Sequence, residues 1–150
     1  MSRSGVRGFS AAALRRARAD AELRVDELAR LIGVSRQTVT AWENGTSRPS
    51  PAVLRTLAGV LRMTTADLVP IREVDLRISD LRALAGLTQE QVAEHLGVST
   101  TAVGDLERGF RAVDDAHTEL LAELYQVPVA RVRAIWQQTY DYVTTRLDRR

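Results

Sequence analysis

The sequence predicts an all-α chain built from two tandem copies of one five-helix unit, the second ending in a long helix. Three observations carry this. The 150 residues are 45% hydrophobic, and their apolar residues recur at the three- and four-residue steps of helices with one buried face. Residues suited to helix caps stand immediately before several of these stretches. Finally, "LARLIGVSRQTVTAWENG" returns 64 positions later as "VAEHLGVSTTAVGDLERG".

The elements of the first copy follow in order. Ser10 is placed to cap a helix running to Glu22, and "VDELARLI" forms a second, with Val25, Leu28, Ala29 and Ile32 on one face. Gly33 ends it, because glycine suits the left-handed backbone after a helix, and Ser35 caps a third helix, "RQTVTAWEN". Two short helices joined this tightly have helix-turn-helix grammar. "TSRPS" is a loop, Ser50 and Pro51 open a fourth helix, and Thr64 caps a short fifth that stops at Pro70.

The second copy repeats the plan. From Leu14/Ile78 to Leu68/Val132 the alignment runs without a gap, and 15 of 55 positions are identical, among them Arg18/Arg82, Gly33/Gly97, Ser35/Ser99, Val39/Val103 and Glu43/Glu107. "TQEQ" from Thr88 fits a capping box, Ser99 and Asp114 cap the third and fourth helices, and Pro128 opens the last. That helix is long, and Val132, Ile135, Trp136, Tyr140, Val143 and Leu147 form one stripe along it. The stripe either docks a partner, foremost a second copy of the chain, or packs back on its own domain. The expected organisation is therefore a basic N-terminal arm over 1–9, a domain over 10–70 and a second, acidic domain over 71–150.

Charge divides along the same boundary. Residues 1–70 carry 11 arginines against 6 acids, and 71–150 carry 10 against 13, so only the first half suits a polyanion. With no cysteine, disulfides, thiol catalysis and cysteine-ligated zinc are excluded. His95 and His117, alone in predicted helices, form no metal site. No metal, cofactor or catalytic constellation is expected, and the paired acids Asp26-Glu27 and Asp114-Asp115 fit helix N-termini. Without a signal-like or membrane-length apolar run, the chain is expected to be cytoplasmic with no membrane partner.

The string "ELAxxxGVSxxxVxxWExG", an apolar and arginine-rich first helix, a polar loop and a proline-led fourth helix resemble the Cro/repressor-type helix-turn-helix domains, the xenobiotic-response-element family. The likeness covers residues 10–69 and again 76–132. It implies two repressor-like helix-turn-helix domains and double-stranded DNA as partner. It also implies that the third helix lies in the major groove, with Ser35, Arg36, Gln37 and Thr38, then Thr40 and Ala41, at the base edges. Arg36 can fork onto guanine O6 and N7, Gln37 can pair with adenine, and Ala41 can touch a thymine methyl. Asn44, Thr46 and Arg48 match phosphate-gripping positions, and Arg24 can add another. In the N-terminal segment, Arg3 and Arg7 either follow DNA as a basic arm or belong to a loose terminus.

Departures from the family pattern are informative. Val25 stands where the family has a phosphate-clamping Gln, which the second copy keeps as Gln89, and Glu22 replaces a glycine kept as Gly86. The second third helix offers Thr100, Thr101, Gly104 and Asp105, with neither Arg nor Gln, although Arg108 and Arg111 remain for backbone contact. That copy either serves structure and partner binding or reads a second half-site. The resemblance implies a sequence-specific transcriptional regulator, a repressor acting as a homodimer. The alternative is an antitoxin-like or adaptor protein whose second domain binds a protein partner.

Overall fold

The computed structural model describes residues 5–149, and every regular element in that span is helical. Contacts divide the chain into two compact units: residues up to Glu73 together with Ala83–Gly86, and Val74–Arg82 together with Leu87 onward. The first unit thus runs three residues past the expected end at 70 and takes in a four-residue stretch of the following sequence.

In the first unit, α1 (Ala11–Asp20), α2 (Val25–Ile32), α3 (Arg36–Glu43), α4 (Pro51–Leu61) and α5 (Thr65–Leu68) surround one core. Leu14, Leu28, Val39, Leu54, Leu57 and Leu68 are fully buried there, with Trp42 against them. Four of these helices, all but α2, start directly after the residue expected to cap them. Ser10, Ser35, Ser50 and Thr64 accept from the backbone N–H three residues on, satisfying donors that the first turn leaves free. Gly33 ends α2 at φ 84°, a conformation that costs a residue with a Cβ about 1–2 kcal/mol. The first helix stops at Asp20 rather than at Glu22, because Glu22 itself turns to φ 57°. Its counterpart Gly86 sits at φ 75°, so Glu22 occupies a backbone position made for glycine.

The N-terminal segment corrects one expectation. Residues 5–9 are not a free arm. Val6 is buried at 3% exposure and donates its N–H to Pro49 O at 2.9 Å, Phe9 packs against the core, and Ser10 N–H bonds Leu68 O at 2.9 Å. Two apolar side chains and two paired backbone groups give this stretch a reason to dock. Arg7 is half-buried within it, and Arg3 lies outside the described residues.

The second copy repeats the order. A 3₁₀ turn (Glu73–Asp75) leads into α6 (Ile78–Leu84), followed by α7 (Gln89–Leu96), α8 (Thr100–Glu107), α9 (Asp115–Tyr125) and α10 (Val129–Asp148). The capping box at Thr88 and the caps at Ser99 and Asp114 form as expected. At 20 residues α10 is about 30 Å long and packs on α8 and α9. Its stripe divides. Val132, Ile135 and Trp136, expected among the partner-docking residues, are buried in their own unit, and Trp136 Nε1 donates to Arg111 O at 2.9 Å. Tyr140 and Val143 are half-buried, while Leu147 is 61% exposed. Packing back therefore claims the first two turns of the stripe, because α9 and the end of α8 already supply an apolar surface there. No described helix is long and apolar enough to cross a membrane.

Candidate nucleic-acid interface

The helix α3 is held by one face and by one end. Its apolar Val39 and Trp42 are buried at 0% and 4% exposure, which turns Arg36, Gln37 and Thr40 outward. At its C-terminal end Glu43 is also buried, with an 8% exposed side chain, and Arg18 of α1 grips it with Nε at 2.6 Å and Nη2 at 2.9 Å. Arg18 also donates to Leu23 O at 2.9 Å, and Arg15 donates to the carbonyl of Glu43. Hydrogen bonding to Glu43 holds the Arg18 pKa above its ordinary value, outweighing desolvation. A planar guanidinium gripping a carboxylate with two bonds fixes direction as well as distance, so α3 is oriented by α1.

The residues expected at base edges are not equivalent. Arg36, Gln37 and Thr40 are exposed, and Ala41 is half-buried. The hydroxyls of Ser35 and Thr38 are instead committed to the cap: Ser35 Oγ accepts from Thr38 N at 3.1 Å and lies 2.8 Å from Thr38 Oγ1. At eight residues, α3 is about 12 Å long, close to the width of the B-DNA major groove.

Beyond α3, Asn44 is an exposed C-cap. Thr46 and Ser47 both donate their N–H to Ala41 O, at 3.0 and 3.3 Å, folding the loop back under the helix. Arg48 follows directly. Neither Arg36 nor Arg48 makes an ion pair among the described residues, so both charges remain available to a polyanion. Arg24 differs, because its Nε lies 3.4 Å from Asp26 Oδ1 and 3.3 Å from Glu27 Oε1. Two carboxylates around one guanidinium oppose a further anion there.

The same frame in the second unit carries other chemistry. Arg82 grips the buried Glu107 at 2.7 and 3.3 Å and bonds Leu87 O at 3.1 Å. Gln89, which the family resemblance placed on phosphate, donates to Glu107 Oε1 at 2.8 Å instead. Arg108 is paired with Asp105 at 2.7 Å and stacks 5.3 Å from the Phe110 ring centre. The outward residues Thr100, Thr101 and Gly104 line a groove of about 1150 Å³ whose far wall includes Thr139, Tyr142 and Val143 of α10. Close approach of α10 is visible at Gly109, where a Cβ would meet Thr139 O at 2.8 Å. Behind the ion pair, the buried Tyr125 hydroxyl has no hydrogen-bond partner among the described residues, and burial, with Glu107 nearby, raises its pKa.

Sequence reasoning missed Arg15 and the pairing of Arg18 with Glu43. A signal was present, since both members recur at the same offset, 25 residues apart in each copy. It missed the docking of Gly5–Phe9 altogether.

Comparison with family models matches residues 14–68 to a helix-turn-helix model and residues 76–135 to a helix-turn-helix domain model. Comparison with curated proteins and with solved structures finds no match. The two matched segments coincide with the repeated frames around α2–α3 and α7–α8. Helix-turn-helix domains bind DNA by laying the second helix of the motif in the major groove. The chain therefore belongs to the helix-turn-helix DNA-binding proteins and carries two such domains in tandem, the first of the Cro/C1 type.

Proposed function

We propose that this chain is a sequence-specific transcriptional regulator of the cytoplasm, a repressor that reads the major groove with α3 and binds its operator as a homodimer. The observation that carries the reading is the contrast between two helices on one frame. In α3 the exposed positions hold Arg36 and Gln37, both suited to bidentate base contact, and in α8 the matching positions hold Thr100 and Thr101. A single small domain makes limited contact with DNA, so pairing two half-sites is the usual route to useful affinity. Catalysis has no part in this reading.

Within it, Arg36 and Gln37 read bases, Thr40 and Ala41 complete the surface, and Asn44, Thr46 and Arg48 hold phosphates. The second unit serves structure or partner binding, a role supported by the Asp105–Arg108 pair and by the α10 wall beside the α8 face. The test is to select bound duplexes from a random pool and then compare variants on the selected site and on random sequence. Arg36→Ala should cost about 1–3 kcal/mol on the selected site and relax preference at one base pair, whereas Arg48→Ala should weaken every sequence alike. Equal losses on both duplexes for both variants would remove the base-reading role from α3.

A further inference from the structure

We infer that the N-terminal stretch Gly5–Val6 is a brace that positions Arg48 for the DNA backbone. This rests on the proposed DNA-binding role of the α3–α4 loop. The loop has few internal supports: Thr46 and Ser47 fold back on Ala41 O, and between them and the Ser50 cap Arg48 is half-buried and Pro49 is buried against the unit. Gly5 and Val6 support the loop from outside. The Val6 N–H reaches Pro49 O at 2.9 Å, and its side chain is buried in the core of the first unit, so the bond is anchored at its far end. Gly5 lies flat against the backbone of Arg48. A Cβ on residue 5 would come within 2.7 Å of Arg48 O and would also collide with Arg48 Cβ. Only a residue without a side chain lets the segment lie this close.

The rest of the segment ties the brace down. The Ser10 N–H bonds Leu68 O at 2.9 Å, and Gly8 passes close to Ile71, where a Cβ would meet Ile71 Cγ1 at 2.7 Å. The stretch thus links the end of α5 to the loop that carries Arg48. A long side chain from an unbraced loop loses rotamer and backbone freedom on gripping a phosphate, whereas a loop already held loses less. Gly5 and Val6 are therefore positioning residues, with no contact to DNA required of them.

The test uses the full chain and a mixed-sequence duplex of about 20 base pairs, titrated over a range of salt concentrations. Gly5→Ala should weaken binding about tenfold and flatten the salt dependence by about one unit of slope, the signature of one lost phosphate contact. In an Arg48→Ala background the same substitution should cause little further loss, because the guanidinium it misplaces is gone. Hydrogen exchange at the Val6, Thr46 and Ser47 amides should quicken in free Gly5→Ala while that of Leu14 does not. Val6→Ala, which introduces no clash, makes the same test with a smaller effect should Gly5→Ala fail to fold. Additive losses from Gly5→Ala and Arg48→Ala would overturn the brace, and so would unchanged binding by Gly5→Ala where Arg48→Ala weakens it. Unchanged binding by Arg48→Ala itself would instead strike the phosphate-contact reading on which the brace depends, and the brace with it.

Discussion

Replacing Arg18 with Met should destabilise the first unit far more than replacing Arg82 with Met destabilises the second. The two arginines do the same job on carboxylates of nearly equal burial, the Glu43 and Glu107 side chains being 8% and 6% exposed. Arg18→Met removes bonds of 2.6 and 2.9 Å and leaves Glu43 buried without a side-chain donor, a situation that costs about 3–5 kcal/mol. Arg82→Met removes bonds of 2.7 and 3.3 Å, but Gln89 remains 2.8 Å from Glu107 Oε1. A hydrogen bond to a charged group is worth about 1.5–3 kcal/mol, so the loss in the second unit should fall to about 1–3 kcal/mol. The assay is urea unfolding followed by tryptophan fluorescence, since Trp42 lies in the first unit and Trp136 in the second. A Trp136→Phe background isolates the first signal and a Trp42→Phe background the second. Replacing both partners, as Arg18→Met with Glu43→Leu, should recover most of the loss, because no charge is then left buried. Equal losses in the two units would show that Gln89 does not support Glu107. A loss below about 1 kcal/mol for Arg18→Met would show a pair behaving as if exposed to solvent.

Three further outcomes follow from particular positions. Glu22→Gly should stabilise the first unit by about 0.5–1 kcal/mol and so raise its unfolding midpoint, the left-handed strain relieved less the entropy glycine adds to the unfolded chain. Gly109→Ala should lower that of the second, since it meets both φ 82° and the Thr139 carbonyl; thermal melts of each variant check the signs, and a destabilising Glu22→Gly would refute the strain argument. If the proposed homodimer forms through the end of α10, Leu147→Asp should dissociate it in sedimentation without changing helix content, because Leu147 is exposed while Val132, Ile135 and Trp136 are buried within one chain. An unchanged mass would move the dimer contact away from the end of α10.

Much of the fold was legible because its signals are local. A helix start depends on one side chain accepting a hydrogen bond from a backbone group three residues on, so Ser35 and Ser50 could be recognised from their neighbours alone. The same holds for Gly33, whose left-handed backbone is a property of one residue. The repeat then made the inward positions Val39 and Val103 identifiable, since they persist while the outward ones change. The repeat likewise put Arg36 and Gln37 on the variable outward face, while their role as base readers came from the family resemblance.

What pairs with what was not legible in this way. Arg18 and Glu43 are 25 residues apart, and nothing local distinguishes them from surface charges until α1 and α3 are packed together. Gln89 has the residue type of a phosphate clamp, yet Glu107 sits within reach and takes its amide. Arg24 and Arg108 count as positive charge in a composition, but adjacent carboxylates offset them in space. The sequence by itself determined the helices, their caps, the repeat and the outward face of each third helix, because each follows from short-range hydrogen bonding or from periodicity. Only the tertiary structure decided which arginines are paired with carboxylates, which part of the α10 stripe is spent on its own domain, and that Gly5 and Val6 lie beside Arg48. Each of these depends on distances between groups remote in the chain, and such distances exist only once the core has closed around Leu14, Val39 and Leu54 in the first unit, or around Val103 and Trp136 in the second.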